Sequence, residues 1–270
     1  MKAQVRRRLD LLLVERGLCA SRQEASRLIL AGKVRTPAGG NEKPGTLVPV
    51  ETPVEIAGPP HPFVSRGGVK LSHALDVFHV DPRDRVCLDV GASTGGFTDC
   101  LLQAGARQVI AVDVGYGQLA PRLRQDPRVH VLERTNIRYL DASRLPARPD
   151  LATVDVSFIS LELVLPVVHT LLDPPHELVV LVKPQFEVGK GSVGKRGVVR
   201  DRTLHRAVLT RLTGLVAQWS LRVLGLAESP LLGPMGNREF LMHLASTGLE
   251  PDVPALIASV VESAKVASAN

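Results

Sequence analysis

Seven short apolar runs, RVCLDV, QVIAVDV, VHVL, LATVDV, ELVVLVK, LRVLGLAE and REFLMHLA, are separated by stretches of helical periodicity. Most of these runs are apolar at successive positions rather than at alternate ones. A strand of that kind has to be covered on both faces, and parallel strands joined by helices are the arrangement that covers it. The sequence therefore predicts an α/β fold with a mostly parallel seven-stranded sheet over residues 69–250. Such a sheet opens its ligand crevice at the carboxyl ends of the central strands, so the residues that end the runs carry the functional information.

The first run is followed by GASTGGFTD, Gly91 to Asp99. Set on the P-loop pattern, this stretch has Phe97 where the phosphate-binding lysine belongs, and the cation that balances a triphosphate is lost. Set on the dinucleotide pattern, its middle glycine becomes Ser93, whose side chain obstructs a pyrophosphate. Asp89, near the strand end, repels phosphate further. The same features suit a ligand with a ribose, an adenine, an amino-acid group and no phosphate, namely S-adenosylmethionine. In this reading the loop Gly91, Ala92, Ser93, Thr94, Gly95, Gly96 and Phe97 wraps the ligand, its glycines allowing close backbone approach. Asp89 favours the ammonium, Asp113 accepts from the ribose hydroxyls, Asn136 reads an adenine edge, and Asp155 borders the same space. Glycines that only pack a strand against a helix would give the same pattern.

Charge is unevenly distributed. Residues 1–70 hold twelve lysines and arginines against six acids, whereas residues 71–270 hold twenty-one of each, so the net +6 lies in the first quarter of the chain. A small basic module beside a balanced larger one suits a polyanionic partner. Residues 6–35 read as two short helices, the second opened by the capping-box spacing Ser21 to Glu24. Short strands are expected around 33–35, 46–50 and 54–56. RLDLLLVERGLCASRQEASRLILAGKV…KPGTLV resembles the S4 RNA-binding domain, a small α+β module. That resemblance implies RNA contact by Arg6, Arg7, Arg22, Arg27, Lys33 and Arg35, with Arg66 beyond the module. The expected division is residues 1–60 for this domain, 61–68 for a Pro/Gly-rich linker, 69–250 for the sheet domain and 251–270 for a weakly helical tail.

Four residues in the larger part lack a packing role: Lys70 in SRGGVKL, Asp155 in DVSF, Lys183 in LVKPQFE and Glu239 in GNREF. Placing an acid and a lysine after buried runs costs desolvation unless they pair. The Lys–Asp–Lys–Glu order resembles the ribose 2′-O-methyltransferases of the FtsJ type. FVSRGGVKL, DVGASTGGFTD, VDVSFISL, LVKPQFE and GNREF are similar to one branch of them, the TlyA family, once labelled hemolysins. The resemblance implies a Rossmann-like class I S-adenosylmethionine-dependent methyltransferase domain acting on cytidine ribose in ribosomal RNA, with ribosomal subunits as partners. It further implies that Lys183 is the base that removes the 2′-hydroxyl proton, that Asp155 and Glu239 hold the lysines, and that Lys70 steadies the developing alkoxide. Between Lys183 and Arg211 lie eight lysines and arginines against two acids. Lys190, Lys195 and Arg196 of this glycine-rich stretch are expected to close over RNA.

Other classes fit less well. The richest apolar stretch, LELVLPVVHTLLDPPHELVVLVKP, is broken by Glu162, His169, Asp173 and two prolines, so no stable membrane association is expected. Cys19, Cys87 and Cys100 form no C-x-x-C pair, and the eight histidines show no ligand spacing, so no metal site is expected and the setting is read as a reducing cytoplasm. The alternatives to an enzyme are an RNA-binding protein with a relic methyltransferase domain, or a membrane-active protein as the old label suggests.

Overall fold

The computed structural model describes residues 5–19, 21–30, 32–37, 39, 42–56, 61–189, 193–194 and 197–262. The chain divides into two units, Met1–Pro62 and Phe63–Asn270.

In the smaller unit, strand β1 (Arg6–Arg8) leads into helix α1 (Leu9–Glu15) and then helix α2 (Arg22–Leu30). Strands β2 (Val34–Arg35), β3 (Leu47–Pro49) and β4 (Glu55–Ile56) follow. β1 pairs antiparallel with β3, and β2 with β4. The arginine run is thus a strand, where helical periodicity predicts the start of a helix; pairing with β3 satisfies its backbone and moves the helix start to Leu9. Leu9, Leu12, Leu13, Ala25, Ile29, Val34 and Val48 form the core. The amide of Glu24 donates to Ser21 Oγ at 3.2 Å, the cap that the Ser21–Glu24 spacing predicts.

In the larger unit, helix α3 (Gly67–Phe78) precedes strand β5 (Val86–Val90), helix α4 (Gly96–Gln103), strand β6 (Gln108–Val112), helix α5 (Pro121–Arg124) and strand β7 (Val129–Leu132). Then come strand β8 (Leu151–Val154), helix α6 (Leu165–Leu171), strand β9 (Glu177–Val182), helix α7 (Pro184–Glu187), helix α8 (Arg202–Val216), strands β10 (Arg222–Glu228) and β11 (Phe240–Ala245), and helix α9 (Val253–Glu262). The seven strands form one sheet in the order β10-β11-β9-β8-β5-β6-β7, with β11 antiparallel to both neighbours. All seven expected runs are strands of this sheet, and the α/β expectation is met.

Successive residues of the central strands point to opposite covered faces. Leu88, Ile110, Ala152 and Val180 pack under α6, α8 and α9. Cys87, Val109, Leu151 and Val179 pack under α3 and α4. Full burial of each apolar side chain of Val or Leu size contributes roughly 1.5–3 kcal/mol. Two segments depart from the expected division. Gly67 and Gly68, expected in the linker, open α3. Residues 253–262, expected in a tail, form α9, which buries Ile257, Val260 and Val261 in the sheet core.

Candidate active site

The carboxyl ends of β5, β6, β8 and β9 converge on one edge of the sheet, and β11, running the other way, begins there. Gly91 follows β5, Asp113 follows β6, Asp155 follows β8, Lys183 follows β9, and Glu239 precedes β11. The register sets Phe240 opposite Val182, so Glu239 and Lys183 flank the same end of neighbouring strands.

The four expected residues form two ion pairs. Lys183 Nζ lies 2.6 Å from Asp155 Oδ1 and donates to Ser157 Oγ at 2.9 Å. Lys70 Nζ pairs with Glu239 Oε2, and both are buried. A Cβ on Gly233 would fall 2.0 Å from Glu239 Oε1, so a side chain there would push this carboxylate aside.

Two adjoining cavities open at this edge. One, of about 270 Å³, is lined by Ser65, Arg66, Lys70, Thr94, Asp155 and Gly233 among others. The second, of about 530 Å³, is lined by Val112, Asp113, Asn136, Ile137, Val156 and Phe158 among others. Gly91, Ser93 and Asp155 belong to both linings. Lys70 and Asp155 therefore face the cavities directly, while Lys183 and Glu239 meet them through their ion-pair partners.

Asp113 accepts at both oxygens from backbone amides, Gly115 N at 2.6 Å and Ser93 N at 2.8 Å. A carboxylate has about four acceptor positions, so two remain for hydroxyl groups of a ligand. Asn136 lines the larger cavity, and its Oδ1 accepts from the amide of Arg138 at 3.1 Å, leaving its amide group as donor.

Other expected ligand contacts turn inward. Asp89 is fully buried and reaches neither cavity; its oxygens accept from Thr98 Oγ1 at 2.6 Å and Thr153 Oγ1 at 3.0 Å. Burial raises its pKa to about 6 against the lowering effect of those hydroxyls. Asp89 thus holds the strand end behind the loop and does not meet an ammonium. Gly95 makes room for protein as well: a Cβ there would fall 2.3 Å from Leu123 Cδ1. On Gly96 it would fall 2.2 Å from Ser65 Oγ and 2.9 Å from the amide nitrogen of Gly68, so this glycine seats α3 against α4. Phe97 packs into the core below α3 and α4 while also lining the smaller cavity. Ala92 and Thr94 line that cavity too.

Of the expected RNA contacts, Arg27 and Arg35 are exposed, and their side chains have no ion pair or hydrogen bond among the described residues. Lys33 is half-buried. Arg6 donates to Leu47 O at 3.0 Å, and Arg7 pairs with Glu15 at 3.6 Å. Arg22 is committed to the buried Asp10 at 2.9 Å, an acid that Arg8 also holds and whose pKa falls to about 2. Arg66 lines the smaller cavity and donates to Leu232 O at 3.0 Å. Lys190, Lys195 and Arg196 lie outside the described residues.

Sequence reasoning missed Ser157, whose hydroxyl accepts from Lys183 Nζ, although it stands in the quoted DVSF. It also missed Leu232 and Gly233, which wall the smaller cavity from the uncharged stretch that precedes Arg238 and Glu239.

The FtsJ-like methyltransferase model matches residues 63–246, and the S4 domain model matches residues 7–35. A Bacillus subtilis protein, YqxC, provisionally named an rRNA methyltransferase, is 52% identical over 238 residues, covering 88% of this chain and 85% of that protein. The Mycobacterium tuberculosis 16S/23S rRNA (cytidine-2′-O)-methyltransferase TlyA is 48% identical over 240 residues, covering 88% of this chain and 90% of that protein. A solved structure from Streptococcus thermophilus, provisionally labelled a hemolysin, superposes with a TM-score of 0.75 at 42% identity, covering 97% of this chain and 96% of that one.

Proposed function

The chain belongs to the FtsJ-like methyltransferase family and carries an S4 domain, and on that premise we propose that it transfers a methyl group from S-adenosylmethionine to the 2′-oxygen of a cytidine in ribosomal RNA. The Mycobacterium tuberculosis relative named for that reaction supports the substrate. The observation that carries the reading is the pair of lysine–acid contacts, Lys183 with Asp155 and Lys70 with Glu239, beside the Gly91 loop.

The cavities fit the methyl donor. The larger one combines apolar walls, Val112, Val156 and Ile137, with Asp113 and Asn136, which suits a nucleoside. Asp113 would accept from the ribose hydroxyls, Asn136 would donate to the base, and the Gly91–Ser93 backbone would border the amino-acid end. When bound, S-adenosylmethionine supplies an electrophilic methyl group on a positively charged sulfur.

The chain supplies the proton chemistry. A ribose 2′-hydroxyl is a weak acid and has to lose its proton as its oxygen forms the new bond to carbon. Lys183 takes that proton at Nζ, and Asp155 at 2.6 Å and Ser157 at 2.9 Å are placed to hold the resulting ammonium. Lys70, held by Glu239 and lining the smaller cavity, offers positive charge to the developing alkoxide. The S4 unit, with Arg27 and Arg35 exposed, holds RNA backbone, and a ribosomal subunit is the substrate particle.

No helix among the described residues is long and apolar enough to cross a membrane.

Transfer of tritium from labelled S-adenosylmethionine to purified ribosomal subunits tests the reading. Wild-type protein should label rRNA, and Lys183→Ala should not, while retaining affinity for the methyl donor. Reverse-transcriptase stops at low dNTP should then mark a cytidine ribose. Full transfer by Lys183→Ala, or label on a base, would overturn it.

A further inference from the structure

Past Lys183 the chain enters α7, whose last residue, Glu187, has a buried carboxylate. Both of its oxygens are engaged. Oε1 accepts from the amide of Leu161 at 2.8 Å, and Oε2 accepts from Ser160 Oγ at 2.8 Å and from Arg211 Nη2 at 2.8 Å. Arg211, on α8, also donates to the carbonyl oxygen of Glu187 at 3.2 Å and to Glu162 Oε2 at 2.7 Å. Ser160 and Leu161 belong to the loop that leaves β8 at Asp155. Glu187 belongs to the turn that leaves β9 at Lys183.

The loop and the turn therefore meet at three levels. Innermost are the contacts of Asp155 and Ser157 with Lys183. Next, the Phe158 ring packs on Phe186 with centroids 4.9 Å apart. Outermost, Ser160 and Leu161 hang on Glu187. The middle level is strained, because Phe158 has φ +64°, a left-handed conformation that costs a bulky residue about 1–3 kcal/mol. Its side chain is 90% exposed, so burial does little to offset that cost. The loop has to be held at both ends. At one end the amide of Asp155 donates to Val90 O at 2.9 Å; at the other stands Glu187.

Building on the reading of Lys183 as proton acceptor, we propose that Glu187 is a positioning residue, which clamps the Asp155 loop onto the Lys183 turn and so fixes the spacing of the catalytic pair. Glu187 touches neither cavity, and its carboxylate acts only through Ser160, Leu161 and Arg211. Uncharged, it would leave the Arg211 guanidinium without its buried partner and free the loop to relax the strain at Phe158. Asp155 would then drift from Lys183.

Single-turnover methyl transfer at saturating rRNA and S-adenosylmethionine, with calorimetric affinity for the methyl donor, tests this on the full chain. Glu187→Gln should slow transfer by about 10–100-fold, the scale of an ångström-level misplacement, with donor affinity changed by less than about threefold. Ser160→Ala, which removes one donor to the same carboxylate, should act in the same direction by roughly 3–10-fold. Transfer by both variants within about twofold of wild type overturns the proposal, and so does a slowing matched by an equal loss of donor affinity. Should Glu187→Gln not fold, Ser160→Ala decides by the same criteria. A wild-type chain that transfers no methyl group to RNA would remove the functional reading and this role together. Wild-type transfer with unimpaired variants removes the role alone.

Discussion

Gly91 stands so close to Asp155 that a Cβ on it would fall 2.4 Å from the Asp155 carbonyl oxygen, and its φ is +85°. Both facts demand glycine: the backbone conformation is one that side chains rarely adopt, and the obstacle is main chain that cannot swing away. The contact joins the ends of β5 and β8, the strands that deliver the glycine loop and Asp155, the proposed partner of the base. Gly91→Ala should therefore cost about 2–5 kcal/mol, combining backbone strain with overpacking. It should also abolish binding of the methyl donor in any protein that still folds. Urea denaturation and calorimetry measure the two effects.

The buried Asp89 predicts an unusual pH dependence. Its pKa is raised from 3.8 to about 6 by burial. Between those values the folded state binds the proton and the unfolded state does not, so stability falls as pH rises from about 4 to about 6. Asp89→Asn, which still accepts at its amide oxygen and can donate to the other threonine hydroxyl, should remove that fall. At pH 7 it should be more stable than wild type by up to roughly 3 kcal/mol. Urea midpoints at pH 4 and pH 7 for both proteins check this, and a wild-type slope of the opposite sign would refute it.

Glu177 predicts the opposite slope at lower pH. It accepts from His243 at 2.9 Å and from Arg85 at 2.7 Å, contacts that bring its pKa from 4.5 down to about 2. Its contribution is complete above pH 4.5 and is lost as pH falls through about 2. Glu177→Gln should lower stability at pH 7 by about 1–2 kcal/mol, allowing for partial solvent screening, and should flatten the acid limb of the wild-type curve.

The sheet was legible because its strands are buried on both faces, and runs such as ELVVLVK, seven residues long, are too short to cross a membrane. Asp155 and Lys183 stood out for the same reason, since each is a charge directly after a buried run, whereas Lys70 and Glu239 stood out through the resemblance carried by SRGGVKL and GNREF. Their pairing, Lys183 with Asp155 and Lys70 with Glu239, is a property of strand order and could not be read along the chain. The glycines misled in part. Gly95 and Gly96 look like ligand-facing residues in GASTGGF, yet leucines and the start of α3 fill the space their missing side chains leave. Asp89 misled for a related reason: the sequence placed it correctly near the end of a strand, but in a strand buried on both faces its side chain turned to Thr98 and Thr153 rather than to the crevice.

The S4 unit separates arginines that can bind RNA from arginines that hold the fold. Arg22 and Arg8 grip Asp10, whose carboxylate is 1% exposed, so replacing Arg22 disturbs the unit as well as its surface. Arg27 and Arg35 are exposed, with no side-chain partner among the described residues, and their loss should leave the fold intact. Each phosphate contact to single-stranded or duplex nucleic acid contributes about 0.7–0.9 to the slope of log affinity against log salt. If both arginines meet phosphate, the double change Arg27→Glu with Arg35→Glu should reduce that slope by roughly 1.4–1.8 and raise KM for the ribosomal substrate at least about tenfold. Affinity for S-adenosylmethionine, whose proposed cavities are lined by residues of the other unit, should not change. The single-turnover rate at saturating RNA should also hold, because the charges are spent on capture and none touches the reacting oxygen. Filter binding across a salt series distinguishes this from a folding defect, which would weaken binding at every salt concentration without changing the slope.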